Sequence, residues 1–145
     1  MVALVQKLWI PGNRKTTVCV DSYRDGILQG RFYGPDGSAQ SFPSLSRFLI
    51  LMEEMLELNN EPQSDTVHRK FSSLLLPPDT EILWNNTRRG EQATFEVQIL
   101  FRQHTSWQGV LYWKEQHQEQ NFRSVLELIL LMDSALREKE ALETA

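Results

Sequence analysis

The chain has 145 residues, 41% apolar and 23% charged, with a net charge of −4 and an isoelectric point near 5.4. That is the balance of a soluble globular protein of one domain or two small fused halves, and it argues against nucleic-acid binding driven by phosphate neutralisation. The single cysteine, Cys19, excludes an internal disulfide, and no uninterrupted apolar run exceeds the length of Leu128 to Met132, far too short to cross a bilayer.

Residues 2–10, VALVQKLWI, form a short apolar segment stopped by Pro11-Gly12. With Lys7 inside it, the segment does not read as a signal peptide, and a cytoplasmic location is expected. Thr16 to Tyr23 is rich in β-branched residues and alternates, so it is read as a strand. Arg24-Asp25-Gly26 is expected to be a three-residue hairpin loop, with Ile27 to Gly34 as the return strand. Pro35-Asp36-Gly37 marks a second turn, and Ser38 to Phe42 a short third strand. The first helix starts at Ser44 and is expected to end near Asn59-Asn60, before Pro62.

Asn59 to Ser64 reads as a polar loop. Val67 to Leu76 could be a short helix or strand, broken by Pro77-Pro78, and Ile82-Leu83-Trp84 is a brief apolar contact point. Then the first pattern returns: strands at Phe95–Arg102, Ser106–Lys114 and Gln118–Phe122, and a helix at Ser124–Arg137. An offset of 79 superposes Val18 on Val97, Gln29-Gly30 on Gln108-Gly109 and Tyr33 on Tyr112. An offset of 80 superposes Phe42 on Phe122, Ser44 on Ser124 and Leu56 on Leu136. The expected fold is therefore α+β, an internal duplication of a ββ(β)α unit, with an antiparallel sheet carrying two apolar helices on one face. Its segments are residues 1–60 (first repeat), 61–93 (connection) and 94–145 (second repeat and a fraying tail), in one compact domain overall.

A three-residue loop sets the register. It pairs Arg102 with Ser106, so that Phe101 faces Trp107, Ile99 faces Gly109 and Val97 faces Leu111. In the first unit it pairs Ser22 with Leu28, Val20 with Gly30 and Val18 with Phe32. Gly30 and Gly109 then lie on the buried face, either to let a helix cross close to the sheet or to mark a kink. In the second helix, Ser124 and Glu127 are spaced as a capping box. Leu126, Leu130 and Leu131 in that helix, and Ile50 and Leu51 in the first, fall off the core stripe. They are the expected self-association residues, in a homodimer or with a protein partner.

No catalytic set emerges. His68, His104 and His117 sit in three separate segments, Cys19 has no neighbouring histidine, and the phosphate-loop and hydrolase motifs are absent. No cofactor or metal is implied. The outer sheet face should carry Asp21, Gln29, Arg31 and Tyr33 from the first unit, and Gln98, Arg102, Gln108 and Tyr112 from the second. Gln29, Arg31, Tyr33, Arg102, Gln108 and Tyr112 are the binding candidates. Arg69-Lys70 and Arg88-Arg89 near Trp84 could add a basic patch with an aromatic. The expected function is a non-enzymatic protein-interaction or self-associating module. The alternative is a small-ligand or single-stranded nucleic-acid binder using the polar sheet face.

Overall fold

A computed structural model describes residues 15–35, 37–59, 62–67, 69 and 88–144. The expected elements at residues 2–10 and around Trp84, and all but the first residue of Val67 to Leu76 apart from Arg69, lie outside the described residues.

Six strands form one antiparallel sheet: β1 (Thr16–Arg24), β2 (Ile27–Tyr33), β3 (Ala39–Phe42), β4 (Ala93–Phe101), β5 (Gln108–Trp113) and β6 (Gln118–Phe122). Two helices follow the third and sixth strands, α1 (Leu45–Asn59) and α2 (Val125–Thr144). The strand order is β3-β2-β1-β4-β5-β6, so β1 and β4 meet at the centre, with Val18 opposite Phe95 and Val20 opposite Ala93. Alternation then sends Val18, Val20, Phe32, Phe95, Val97 and Leu111 into one apolar cluster. The same cluster takes Phe48, Met52 and Leu56 from α1 and Leu128, Met132 and Leu136 from α2. Helix α1 lies against β2 and β3, and α2 against β5 and β6. Three rings seat α1: Phe48 packs 4.9 Å from Phe42 and 6.1 Å from Phe32, centroid to centroid.

The hairpins differ from the three-residue expectation. Asp25 and Gly26 both have positive φ (55° and 74°), as do His104 and Thr105 (58° and 56°), so each tip is a two-residue turn of the type I′ kind. The shorter tip is offset by a β-bulge in each hairpin, between Val20 and Ser22 and between Ile99 and Phe101. Below the bulge the expected pairs stand: Val18 with Phe32, Val20 with Gly30, Val97 with Leu111, Ile99 with Gly109. Above it they do not. Ser22 pairs with Gln29 rather than Leu28, and Phe101 pairs with Gln108 rather than Trp107 and is exposed. A bulge advances one strand by a residue, which exchanges the faces of everything beyond it.

The two strand glycines answer to the bulges. A Cβ on Gly30 would stand under 3.0 Å from the Cys19 carbonyl oxygen, and one on Gly109 equally close to that of Gln98. The obstacle is the neighbouring strand's backbone, not a helix. The close approach therefore comes from the kinked strand, the second of the two readings of these glycines.

Both helices start on their serines. Ser44 Oγ accepts the Arg47 amide (3.3 Å) and Ser124 Oγ that of Glu127 (3.2 Å). The capping box closes one residue further out than expected. Glu127 accepts the backbone N–H of Arg123 (2.7 Å) and both ends of its guanidinium (3.1 and 2.7 Å). These bonds, the side-chain one foremost, pull the Glu127 carboxyl down to about 2. A carboxyl lowered in the folded state stabilises above its unfolded value of about 4.3, and that contribution disappears as pH falls through about 2. Wild type should thus exceed Glu127→Gln in urea midpoint at pH 5, with the gap closed near pH 2; a gap independent of pH would contradict this.

Helix α2 continues to Thr144, well past the expected end at Arg137. The residues after Arg137, EKEALE, are strong helix formers with no breaker. Lys139 also donates from Nζ to the Glu91 carbonyl (3.0 Å), tying the extension to the start of β4.

Candidate functional site

The polar sheet face holds the first group of candidates. Arg31 donates from Nε to Asp21 Oδ2 (3.2 Å), from Nη1 to the Tyr33 hydroxyl (2.6 Å) and from Nη2 to the Arg89 carbonyl (2.8 Å). The bulged residue Asp21 uses its other oxygen to accept the Glu91 amide (3.1 Å). Thr94 Oγ1 accepts the Gly90 amide (2.9 Å), and the Gln92 amide reaches the Val20 carbonyl (2.8 Å). The Arg88 guanidinium lies 5.1 Å from the Tyr33 ring centroid. Together these bonds fasten residues 88–92 to the outer face beside β1. Under them Cys19, Tyr33 and Ala39 form a small buried cluster. Arg31 and Tyr33 are thus brought together, as a fastening for the lead into β4.

Cys19 is on the outer face, as expected, yet it is fully buried there. Burial raises its thiol to about 11, against the opposing pull of Arg31, so its thiolate fraction at neutral pH is very small.

The repeated glutamines and the second tyrosine serve their own hairpins. Gln108 and Gln103 clasp each other: the Gln103 amide donates to Gln108 Oε1 and Gln108 Nε2 to the Gln103 carbonyl, both at 3.0 Å. Gln29 Nε2 reaches the Pro43 carbonyl (3.4 Å), and the Tyr112 hydroxyl meets His117 Nδ1 (2.9 Å).

Arg102 is not on the outer face. The bulge in β4 turns it the other way, to 2% exposure. There its Nη1 donates to both oxygens of Glu53 (3.3 and 3.2 Å) and to Glu57 (2.8 Å), all on α1, and its Nε donates to the Pro62 carbonyl (2.6 Å). The Trp107 indole donates to the same Glu53 carboxylate (2.9 Å). In β1, Tyr23 donates its hydroxyl to Asp133 of α2 (2.5 Å), which also pairs with Arg137 (3.0 Å). Asp133 is lowered by these partners, Tyr23 first, and Tyr23 is raised by the same bond. Strands from each half of the sheet thus bond to the helix that follows the other half. Of these four, sequence reasoning singled out Arg102, on the outer face, and missed Tyr23, Glu53 and Asp133. Their signal was there: Tyr23 and Arg102 are 79 apart, and the acids Glu53 and Asp133 are 80 apart.

Of the expected self-association residues, Leu126 (65%), Leu130 (56%) and Ile50 (46%) are exposed, Leu131 is half-buried and Leu51 is buried. Leu51 corrects the expectation; it belongs to the core cluster. A helix over a sheet buries a wider arc than the narrow stripe first drawn for it.

Among the described residues, no group of three or more His, Cys, Asp or Glu side chains is placed to hold a metal ion, and no helix is long and apolar enough to cross a membrane. No protein-family model, curated protein or solved structure matches the chain.

Proposed function

We propose that the protein is a non-enzymatic self-association module, built from a duplicated ββ(β)α unit with both helices on one face of the sheet. It pairs with a second copy of itself through the outward side of α2. The duplication is supported by features no single strand or helix requires. Both hairpins carry a bulge before a two-residue turn with positive φ, at Asp21 and Leu100. Both glycines face the neighbouring backbone at the same spacing. Tyr23 and Arg102 reach acids at equivalent places on opposite helices, Asp133 and Glu53.

The observation that carries self-association is the exposure of Leu126 and Leu130 one turn apart on α2. Ile50, the counterpart of Leu130 at the offset of 80, is open too. In a two-fold, antiparallel pairing of α2 helices, Leu126 of one copy meets Leu130 of the other, and the reverse contact follows by symmetry. Burying the open part of four leucines contributes about 4–7 kcal/mol, at about 1.5–3 kcal/mol for a whole side chain. The cost of association consumes much of it, so the dimer is weak, with Kd on the order of 0.1 mM or above. The polar sheet face supports a binding role less well, because Arg31 and Tyr33 hold residues 88–92.

Sedimentation velocity tests this at loading concentrations on the order of 0.01–1 mM. Wild type should shift toward dimer across the range, and Leu126→Asp/Leu130→Asp should stay monomeric with an unchanged melting temperature. A wild type monomeric throughout would overturn the reading.

A further inference from the structure

The outward side of α2 carries charge in a fixed order around its two open leucines. Arg123 and Glu127 stand at the N-terminal end, Asp133 and Arg137 beyond Leu130. The Arg123 side chain lies on Glu127 and is still 87% open to water; that of Arg137, 77% open, lies on Asp133. Leu126, Leu130, Asp133 and Arg137 follow the alternating four- and three-residue spacing of a helix–helix seam, and Arg123 continues it backwards. Along the seam the order is cation, leucine, leucine, anion, cation.

That order suits one alignment of two copies. Arg123 lies three residues before Leu126, and Asp133 three residues after Leu130. The antiparallel pairing that sets Leu126 against Leu130 therefore sets Arg123 level with the second copy's Asp133, twice by symmetry. Sliding the copies by one turn, so that Leu130 faces Leu130, brings Arg123 level with Arg137 and Glu127 level with Asp133. A parallel pairing sets every charge against its own kind. Both alternatives place like charges side by side, which repel.

We propose that Arg123 and Asp133 set the register of self-association, each pairing with the other residue on a second copy. The inference rests on the α2 contact proposed above and names what selects its alignment. Both groups have capacity for a further partner. Arg123 uses Nε and Nη2 on Glu127, which leaves Nη1. A carboxylate accepts about four hydrogen bonds, and Asp133 takes those of Tyr23 and Arg137. Two copies satisfy both pairs, so the assembly closes as a dimer.

The test is a charge exchange between two variants of the full chain, read by sedimentation velocity and by titrating one ¹⁵N-labelled variant with the other unlabelled. Arg123→Glu alone sets acid against acid at both ends of its own pairing, and Asp133→Lys alone sets cation against cation. Each should self-associate about tenfold more weakly than wild type, because two attractions become two repulsions. In the mixture opposite charges meet again at both ends, so the variants should bind each other within about threefold of the wild-type Kd. If Asp133→Lys fails to fold for want of the Tyr23 bond, Asp133→Asn keeps an acceptor there, and its mixture with Arg123→Glu should bind more tightly than either variant binds itself. A mixture no tighter than its components, beside a wild-type dimer that Leu126→Asp/Leu130→Asp abolishes, would overturn this register and leave the α2 contact standing. A wild type monomeric throughout would overturn both.

Discussion

Gly109→Ala is expected to remove about 3–5 kcal/mol of stability, and Gly30→Ala a similar amount. Adding a methyl group to a core whose side chains can yield costs about 1–3 kcal/mol. Here the added carbon meets main-chain carbonyls, Gln98 for Gly109 and Cys19 for Gly30. Making room means moving one strand off its neighbour, and each ladder bond lost adds about 1 kcal/mol. Against a total of about 5–15 kcal/mol for an ordinary domain, either variant stands at the edge of folding. Urea unfolding followed by tryptophan fluorescence measures the loss. An unchanged midpoint would mean that the strands are not held this close at the bulges.

The second large effect is expected at the buried guanidinium. Glu53→Ala leaves Arg102 charged at 2% exposure, with Glu57 and the Pro62 carbonyl as its guanidinium's partners among the described residues, and strands the Trp107 indole. Removing one partner of such a pair costs about 3–5 kcal/mol. Arg102→Met should cost less, about 2 kcal/mol, because the Glu53 and Glu57 side chains, 21% and 51% exposed, can recover water. The double variant Glu53→Met/Arg102→Met should be more stable than Glu53→Ala alone, since an apolar replacement of the whole pair removes the stranded charge. With Glu53→Met added as the matching single variant, chemical denaturation of wild type, the two methionine single variants and the double variant gives the cycle. Additive losses would show that the two side chains do not act as a pair.

Much of the fold was legible because it rests on local periodicity. Alternation in TTVCVDSY and TFEVQILF reports strands half buried against apolar neighbours, and β6 was located at Gln118–Phe122 as found. Ser44 and Ser124 marked the helix starts through a cap that involves only the next turn. The hairpin tips were harder. Asp25-Gly26 is a two-residue turn signal, but counting Arg24 into it hides the bulge that compensates. His104-Thr105 has no glycine, so nothing in its composition announces positive φ. Holding that tip takes the clasp of Gln103 with Gln108 and a contact of the Thr105 and Thr66 hydroxyls (3.2 Å), the latter supplied from the connecting segment.

The candidate site followed the same division. Alternation correctly set Arg31 and Tyr33 side by side, two residues apart on β2, but could not show that the backbone of residues 88–92 uses them. Arg102 was misplaced because a single bulged residue reverses the face of everything beyond it.

From the chain alone come the six strands and the two helices, since each depends on residues within a few positions of one another. The central pairing of β1 with β4, the inward turn of Arg102 and Tyr23, and the exposure of Leu126 and Leu130 but not Leu51 belong to the tertiary structure. They join or bury groups many tens of residues apart. Which groups meet at that distance is decided by the twist and register of the assembled sheet, which no local pattern encodes.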